Sequence, residues 1–135
     1  MNKPTDSVRI VIFDVSDPAQ FLVLAEADDP TNWKLPGGKF DSVDETPVAA
    51  ATRELREELG LEATAVQLRQ VGELKNDDGV SARYIFAATA DKAAPNPSAE
   101  IEAVQWVTPE TIPDSPNKAH IESAVSHARN ANPAV

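Results

Sequence analysis

The hydrophobic and polar positions first follow the pattern of strands and then that of a helix. Residues 8–15 form a nearly continuous run of β-branched and aromatic side chains, and residues 20–27 form a second apolar run after a Ser-Asp-Pro turn. Apolar runs of this length, bounded by turn residues, are typical of buried strands. The polar residues 27–33 that follow are interpreted as a turn.

A helix is predicted next, with a signal at each of its ends. Thr46 is a favourable N-cap, Pro47 suits the first helical position, and Gly60 is a natural C-terminal cap. Ala51, Leu55 and Leu59 fall on one apolar face of that helix. Before it, the paired glycines after Pro36 indicate an irregular loop that continues to residue 44.

The remaining pattern predicts three strands and a terminal helix. Asn-Asp-Asp-Gly is a strong hairpin signal, so the two strands on either side of it are expected to pair antiparallel. These elements cover residues 63–75, 80–90 and 100–107, with a helical turn at 108–110, a helix over 117–129 and a tail at 130–135 that is expected to fray.

The order of elements predicts an α/β (α+β) fold in one domain spanning residues 1–135. Strands do not alternate strictly with helices, so a mixed sheet with a helix on each face is favoured over a doubly wound parallel sheet. A chain of 135 residues is long enough to bury one sizeable core. No repeat or low-complexity tract is present.

Composition excludes several classes of function. The chain has no cysteine, which rules out a disulfide scaffold, a thiolate zinc site and a cysteine nucleophile. The net charge of −10 makes nucleic acid an unlikely partner, although a divalent metal can bridge acidic side chains to a polyphosphate. The chain contains no run of about 20 apolar residues and no secretory signal, so it is expected to be cytoplasmic with no membrane partner.

Three glutamates of the predicted helix form the main chemical feature. Glu54, Glu57 and Glu58 lie three or four residues apart, so their carboxylates converge on one patch where they repel each other. A hard divalent cation such as Mg²⁺ would offset that repulsion, because it prefers oxygen ligands. The alternative is a solvated acidic face, which is common on surface helices.

The residues from position 45 onward resemble the signature of the Nudix hydrolases, G-x5-E-x7-R-E-U-x-E-E-x-G-U, where U is a bulky aliphatic residue. The stretches 35–39 and 100–107 are also similar to Nudix sequences. The matching positions are Glu45, Arg53, Glu54, Leu55, Glu57, Glu58, Gly60 and Leu61.

One spacing departs from the signature. Six residues rather than five separate Gly38 from Glu45. We expect the loop to absorb the extra residue, because an insertion in the helix would rotate every later side chain by about 100°. The departure affects the geometry of the Gly38 carbonyl more than that of the helix.

The resemblance implies a Nudix-like α/β/α sandwich, with the box helix and the C-terminal helix on opposite faces of the sheet. It assigns Mg²⁺, with Mn²⁺ as a possible substitute, to Glu54, Glu57 and Glu58, with the Gly38 carbonyl as a further ligand. It also matches Arg53 and Glu45 to a structural ion pair that fixes the glycine loop against the helix.

The resemblance leaves the general base open. Glu100 is similar to a glutamate outside the box that serves mutator-type members as metal ligand or base. Glu102 and Glu73 are further candidates, for which a surface role is the better interpretation.

Five residues are candidates for substrate contacts. Asn117 stands where relatives that hydrolyse oxidised purine nucleotides carry a purine-reading Asn, and its alternative role is to cap the last helix. Arg9 and Lys39 are candidates for contacts with phosphates, as is Arg83. Tyr84 is a candidate for stacking on the base.

The expected reaction is hydrolysis of a pyrophosphate bond in a small nucleotide, foremost a nucleoside triphosphate cleaved to monophosphate and pyrophosphate. An oxidised purine deoxynucleotide is included in that class. The alternatives are nucleotide sugars, dinucleotides, the 5′ end of RNA, and nucleotide sensing without turnover. The sequence leaves open whether the chain is a monomer or a homodimer.

Overall fold

A mixed β-sheet with a helix on each face forms the fold, as expected from the sequence. The computed structural model of the chain describes residues 2–131. Its elements are β1 (Ser7–Asp14), β2 (Phe21–Glu26), β3 (Asp29–Lys34), β4 (Gly37–Lys39), α1 (Pro47–Leu59), β5 (Arg69–Lys75), β6 (Ala82–Ala90), β7 (Ile101–Val107), a 3₁₀ turn (Pro109–Thr111) and α2 (Lys118–Ala131).

Strand β1 lies at the centre of the sheet, whose order is β3-β2-β1-β6-β5, with β4 on β1 and β7 on β2. It pairs parallel with β6, so that Ser7 lies opposite Arg83 and Asp14 opposite Ala90. Near its start it also pairs antiparallel with β4, which places Arg9 opposite Gly37. The hairpin predicted between β5 and β6 is present and antiparallel.

Two hydrophobic clusters cover the two faces of the sheet. Helix α1 packs on the face that carries Val8 and Ile10, and it buries its predicted apolar residues there. Helix α2 packs on the face that carries Val11 and Phe13. Its predicted apolar face is buried as well, and consists of Ile121, Ala124, Val125 and Ala128. Neither described helix is long and apolar enough to cross a bilayer.

The ends of α1 follow the predicted caps. The Thr46 hydroxyl accepts a hydrogen bond from the Ala49 N–H at 3.2 Å, and Pro47 opens the helix. Gly60 ends it in the left-handed conformation with a φ of 64°, and its N–H is bonded to the Arg56 carbonyl. Glycine adopts this conformation with little strain, which sets the helix's last turn.

The polar segment 27–33, interpreted as a turn, instead contributes most of β3. Asp29–Lys34 pairs with β2 through an irregular register that joins Glu26 to Asp29 and Leu24 to Lys34. Pro30 is tolerated because β3 lies at the edge of the sheet, where one side of the backbone makes no ladder. Pairing with β2 overrides the turn-like composition of this segment.

Two further element boundaries predicted from the sequence were wrong. Residues 63–68 form turns rather than the start of a strand, with Leu68 N–H bonded to the Ala63 carbonyl and Gln67 at a positive φ of 55°. Helix α2 continues through Ala131, so the first two residues of the tail expected to fray are helical. The rest of that tail, 132–135, lies outside the described residues.

Candidate active site

The diglycine loop brings the backbone of β4 close to β1. A β-carbon placed on Gly37 would lie 2.1 Å from the Val8 carbonyl oxygen, and the φ of Gly37 is 138°. A side chain at this position would therefore meet both a steric and a conformational barrier. The sequence Gly37-Gly38 is thus explained by the close approach of two strands.

Two carboxylates of α1 lie against this loop. Glu58 Oε1 accepts a hydrogen bond from the Gly37 N–H at 2.9 Å. A β-carbon on Gly38 would lie 2.8 Å from Glu54 Oε1, so that glycine leaves space for the carboxylate. Both glutamates are buried. The helix and loop together hold two acidic side chains at one place.

Burial changes the protonation of these two groups. It raises the pKa of Glu58 to about 7, partly offset by the hydrogen bond from Gly37. It also raises the pKa of Glu54, and the hydrogen bond from Arg53 opposes that rise. Paired buried carboxylates with raised pKa values are typical of functional sites. A bound cation would favour their charged forms.

Arg53 and Glu45 form the predicted ion pair. Arg53 Nε lies 2.9 Å from Glu45 Oε2, and Nη2 lies 3.1 Å from Oε1, which is a bidentate contact. Arg53 also donates to the Lys39 carbonyl at 3.1 Å, and Glu45 accepts from the Asp41 N–H at 2.8 Å. The loop therefore accommodates its extra residue while both ends stay bound to α1.

This ion pair shifts the pKa values of both groups. The hydrogen bond from Arg53 lowers the pKa of Glu45, and the same contact raises the pKa of Arg53. Both groups therefore stay ionised around neutral pH.

The third box glutamate, Glu57, is more exposed. Arg53 Nη1 lies 3.3 Å from Glu57 Oε2 and 2.9 Å from Glu54 Oε1, so the guanidinium bridges these two carboxylates. Within residues 2–131, no three Asp, Glu or His side chains already converge as a set that could hold a metal ion. Carboxylate oxygens on one helix are nevertheless the donors that Mg²⁺ prefers.

Glu100 directly precedes β7 and lies beside the turn between β2 and β3. Its carbonyl accepts a hydrogen bond from the Ala27 N–H at 2.8 Å, and it borders a depression together with Glu26, Ala27 and Asp28. The loop before it packs on the end of α1, where Ser98 N–H is bonded to the Glu58 carbonyl at 3.0 Å. The assigned role of Glu100 as ligand or base stays a prediction.

A cavity of about 80 Å³ lies on the α2 face of the sheet. It brings together three residues that the sequence made candidates for substrate contacts, Arg9, Arg83 and Asn117. It also contains side chains to which the sequence gave little or no role, among them Lys34 and His120. The complete lining is Ser7, Arg9, Lys34, Leu35, Arg83, Asn117, His120 and Ile121.

The cations of this cavity are partly desolvated. Burial lowers the pKa of Arg9, and the nearby charges of Glu58 and Glu54 oppose that change. Burial likewise lowers the pKa values of Lys34 and Arg83. Arg9 Nη1 donates to the Leu35 carbonyl at 3.0 Å, whereas the buried Arg83 Nε has no hydrogen-bond partner.

Asn117 directly precedes α2, but its amide group is directed at β3. Its Nδ2 donates to Asn32 Oδ1 at 2.8 Å and lies 3.5 Å from the Trp33 carbonyl. This contact fixes the start of α2 on the edge strand. It also occupies donors that would be needed to read a purine edge.

The structure does not bring Tyr84 and Lys39 into this cavity. Tyr84 packs on the α1 cluster and stacks on Phe40, with ring centroids 5.8 Å apart. Lys39 ends β4, and its exposed side chain lies outside the cavity lining. Their assigned substrate contacts stay predictions.

Sequence reasoning missed Lys34, and it gave no role to His120, which borders the cavity but is exposed. Lys34 directly follows the segment 27–33 that was interpreted as a turn, so no pattern pointed to its position. His120 lies one turn into a helix whose docking on the sheet depends on contacts distant in sequence. Alternation along β6 does place Arg83 and Tyr84 on opposite faces, which was the one local signal for the cavity.

Comparison with known proteins identifies the family of this chain. The NUDIX domain family matches residues 3–128. A MutT-like protein from Streptomyces ambofaciens is 31% identical over 109 residues, which cover 81% of this chain and 68% of that protein. Phosphatase NudJ from Escherichia coli K12 is 31% identical over 121 residues, covering 87% of this chain and 76% of that protein.

The fold is also found among solved structures. The crystal structure of DR0079 from Deinococcus radiodurans superposes with a TM-score of 0.73 at 19% identity, covering 88% of this chain and 82% of that chain. The family match covers nearly the whole chain, so the chain belongs to the NUDIX domain family and is a Nudix hydrolase acting on nucleoside diphosphate derivatives.

Proposed function

We propose that the chain hydrolyses the pyrophosphate link of a nucleoside triphosphate, releasing a nucleoside monophosphate and pyrophosphate, with Mg²⁺ as its metal. The observation that carries this proposal is the placement of two buried carboxylates, Glu54 and Glu58, against the diglycine loop. Such groups cost free energy unless a cation or hydrogen bonds compensate them. A metal-bridged polyphosphate also suits a chain with a net charge of −10.

The ligands proposed for the metal are Glu54, Glu57 and Glu58, with the Gly38 carbonyl and Glu100 as further members. Arg53 contacts both Glu54 and Glu57. A divalent cation bound by these two carboxylates would replace those contacts. Mn²⁺ is expected to substitute, because it accepts the same oxygen donors.

Beside the metal, the chain's own groups would perform two tasks. The metal, when bound, would neutralise phosphate oxygens and lower the pKa of a coordinated water. Arg53 and Glu45 hold the loop on the helix, which keeps the carboxylates aligned with the anhydride. A glutamate, Glu100 or one of the box glutamates, would take a proton from the attacking water. The oxygen of that water would bond to one phosphorus, and the other phosphate would leave with the bridging oxygen.

The relatives support this class of reaction. Phosphatase NudJ is named for the removal of phosphate, and the MutT-like protein is named for its similarity to MutT. Among the candidate substrates we favour nucleoside triphosphates, because a cavity lined by cations suits a substrate that is rich in phosphate. Oxidised purine deoxynucleotides belong to the same class.

A substrate panel with ¹⁸O-labelled water tests the proposal. Nucleoside triphosphates, oxidised purine nucleotides, nucleotide sugars, dinucleotides and triphosphorylated RNA are compared with Mg²⁺, with Mn²⁺ and with a chelator. We expect metal-dependent release of pyrophosphate from triphosphates, with the label showing which phosphorus is attacked. Negligible turnover of the whole panel would contradict the proposal.

Variants then test the assigned ligands. Glu57→Gln and Glu58→Gln should each lower kcat by at least about 100-fold, by analogy with the loss of one group that stabilises charge in a transition state. Glu122→Gln, an exposed glutamate of α2, is the matched control and should retain activity. Full activity in both box variants would exclude the ligand assignment while leaving the family intact.

A further inference from the structure

The cavity on the α2 face carries an unusual charge for this protein. Three of the chain's 12 basic residues, Arg9, Lys34 and Arg83, border a space of about 80 Å³, and no acidic residue lines it. The chain as a whole has a net charge of −10. Three cations around one small space repel each other unless an anion lies between them.

The donors of the two arginines are only partly used. The buried Arg83 Nε has no hydrogen-bond partner in the structure, and Arg9 donates from Nη1 to the Leu35 carbonyl. A guanidinium presents five N–H donors in a fixed plane. An unsatisfied buried donor destabilises the fold unless an acceptor reaches it, and phosphate oxygens match the geometry of a guanidinium.

The carboxylates near these cations lie outside the cavity. Lys34 pairs with Glu26, which lies outside the cavity. The charges of Glu54 and Glu58 act on Arg9 from the α1 side, where both carboxylates lie against the glycine loop. Asp77 acts on Arg83 only through its distant charge. None of these carboxylates lines the space between the cations.

Arg9 connects the cavity to the reactive site. It lies opposite Gly37 in the pairing of β1 with β4, and the Gly37 N–H is bound by Glu58. The charges of Glu54 and Glu58 act on Arg9, so a phosphate chain whose anhydride lies at the carboxylates would extend toward Arg9.

The size and polarity of the cavity limit the chemical groups that it can bind. Pockets for whole small molecules measure about 300–1,000 Å³, so a space of about 80 Å³ accommodates a chemical group rather than a nucleoside. Asn117, the residue suited to a purine edge, gives its amide donors to β3. The remaining polar lining is dominated by cations, together with the hydroxyl of Ser7 and the ring of His120.

We propose that this cavity binds a phosphate group of the substrate other than the one attacked, so that preferred substrates carry a further phosphate beyond the hydrolysed anhydride. This inference rests on the proposed function of the carboxylate site. The further phosphate can come from the end of a triphosphate chain or from a phosphate ester on the sugar, and both offer the same chemistry to Arg9, Lys34 and Arg83.

A binding experiment without metal tests the cavity independently of catalysis. Inorganic phosphate and pyrophosphate are titrated into the full chain in the presence of a chelator, and binding is followed by calorimetry and ³¹P NMR. We expect one site that weakens with added salt, as contacts between a phosphate and cationic side chains do. Arg83→Gln should weaken it by about tenfold or more, since a charge-assisted contact is lost.

Matched variants separate the cavity from general effects of charge. Arg69→Gln removes a guanidinium from β5, outside the cavity, and should leave phosphate binding unchanged. Lys34→Gln should weaken binding in the same direction as Arg83→Gln, and thermal unfolding confirms that each variant is folded. Binding that is absent from the wild-type chain, or equal in wild-type, Arg83→Gln and Lys34→Gln, would overturn the proposal.

Turnover identifies the source of the phosphate. ADP, ATP and ADP with an added 3′-phosphate share one nucleoside, and kcat/KM is compared for the three with Mg²⁺. If wild type prefers ATP and Arg83→Gln loses that preference, the cavity binds the terminal phosphate of the triphosphate. If wild type prefers ADP with the 3′-phosphate, the cavity binds the phosphate ester on the sugar. Phosphate binding without turnover of any substrate would instead overturn the proposed function and leave the cavity assignment standing.

Discussion

Glu58 Oε1 accepts a hydrogen bond from the Gly37 N–H at 2.9 Å, which joins the box helix to the glycine loop across 21 positions of sequence. The bond fixes a buried carboxylate at the start of β4, beside the pairing of Gly37 with Arg9. It is a charge-assisted contact when Glu58 is ionised, and it weakens when the acid is protonated. The geometry of the loop and the protonation of the acid are therefore linked.

Gly37→Ala should destabilise the chain by about 3 kcal/mol or more, because the added β-carbon meets the Val8 carbonyl and the backbone is in a region that alanine avoids. That loss corresponds to a drop in Tm of about 10 °C for a domain of this size. Thermal unfolding measures it. Gly79→Ala is the control, since Gly79 also has a positive φ, of 70°, but open space around it. Equal shifts in Tm for the two variants would contradict the steric argument.

Glu58 should make the metal-free protein less stable as the pH rises. Its pKa is about 7 in the folded chain and near 4.5 when unfolded, so between these values the folded state retains a proton that the unfolded state has lost. The contribution is complete below the unfolded pKa and is lost as the pH rises through about 7, an effect of up to about 3 kcal/mol. Unfolding in a chelator from pH 5 to 8 measures the slope.

Glu58→Gln removes this titration while keeping an oxygen that can accept from Gly37. The variant should be more stable than wild type at pH 8 and similar to it at pH 5. Glu57→Gln, at an exposed position of the same helix, should keep the wild-type slope. Parallel pH profiles for wild type and Glu58→Gln would show that Glu58 ionises normally.

Local signals were enough to predict helix α1. Thr46, Pro47 and Gly60 act through their own backbones and near neighbours, so the ends of the helix follow from composition. The same local logic predicted the antiparallel hairpin of β5 and β6. The contact between Glu45 and Arg53 followed instead from the resemblance to the Nudix signature, which matched both residues to an ion pair.

The features that sequence reasoning missed depend on pairing between strands rather than on local composition. Strand β3 exists because it adds to β2, and its composition alone resembles a turn. The cavity exists because the parallel pairing of β1 with β6 sets Ser7 opposite Arg83, while β3 brings Lys34 to the same place. Register between strands that are 76 residues apart is set by packing of the whole sheet.

Arg53→Lys should lower kcat by about tenfold or more, because an ammonium group cannot reproduce the bidentate contact with Glu45 and so releases the loop. It should also lower stability at neutral pH. Since the pKa of Glu45 is lowered in the folded chain, that contribution is present above its unfolded pKa and is lost as the pH falls. The difference in Tm from wild type should therefore shrink in acid.

Arg56→Lys is the matched control for that variant. Arg56 pairs with Glu62 at the surface, where both side chains are more than half exposed, so its exchange should change neither kcat nor Tm appreciably. Steady-state kinetics and thermal unfolding of the two variants give the comparison. Similar losses in both would mean that the contact between Arg53 and Glu45 has no special role.

Asn117→Ala should cost about 1 kcal/mol of stability, because the variant loses the hydrogen bond that holds the start of α2 on Asn32. If that contact is the main role of Asn117, kcat/KM should fall by the same factor for purine and pyrimidine triphosphates. Asn130→Ala, an exposed asparagine near the other end of α2, serves as control and should leave both quantities unchanged. A selective loss for purines would instead show that Asn117 reads the base, and the cavity would then have to accommodate part of the purine beside its cations.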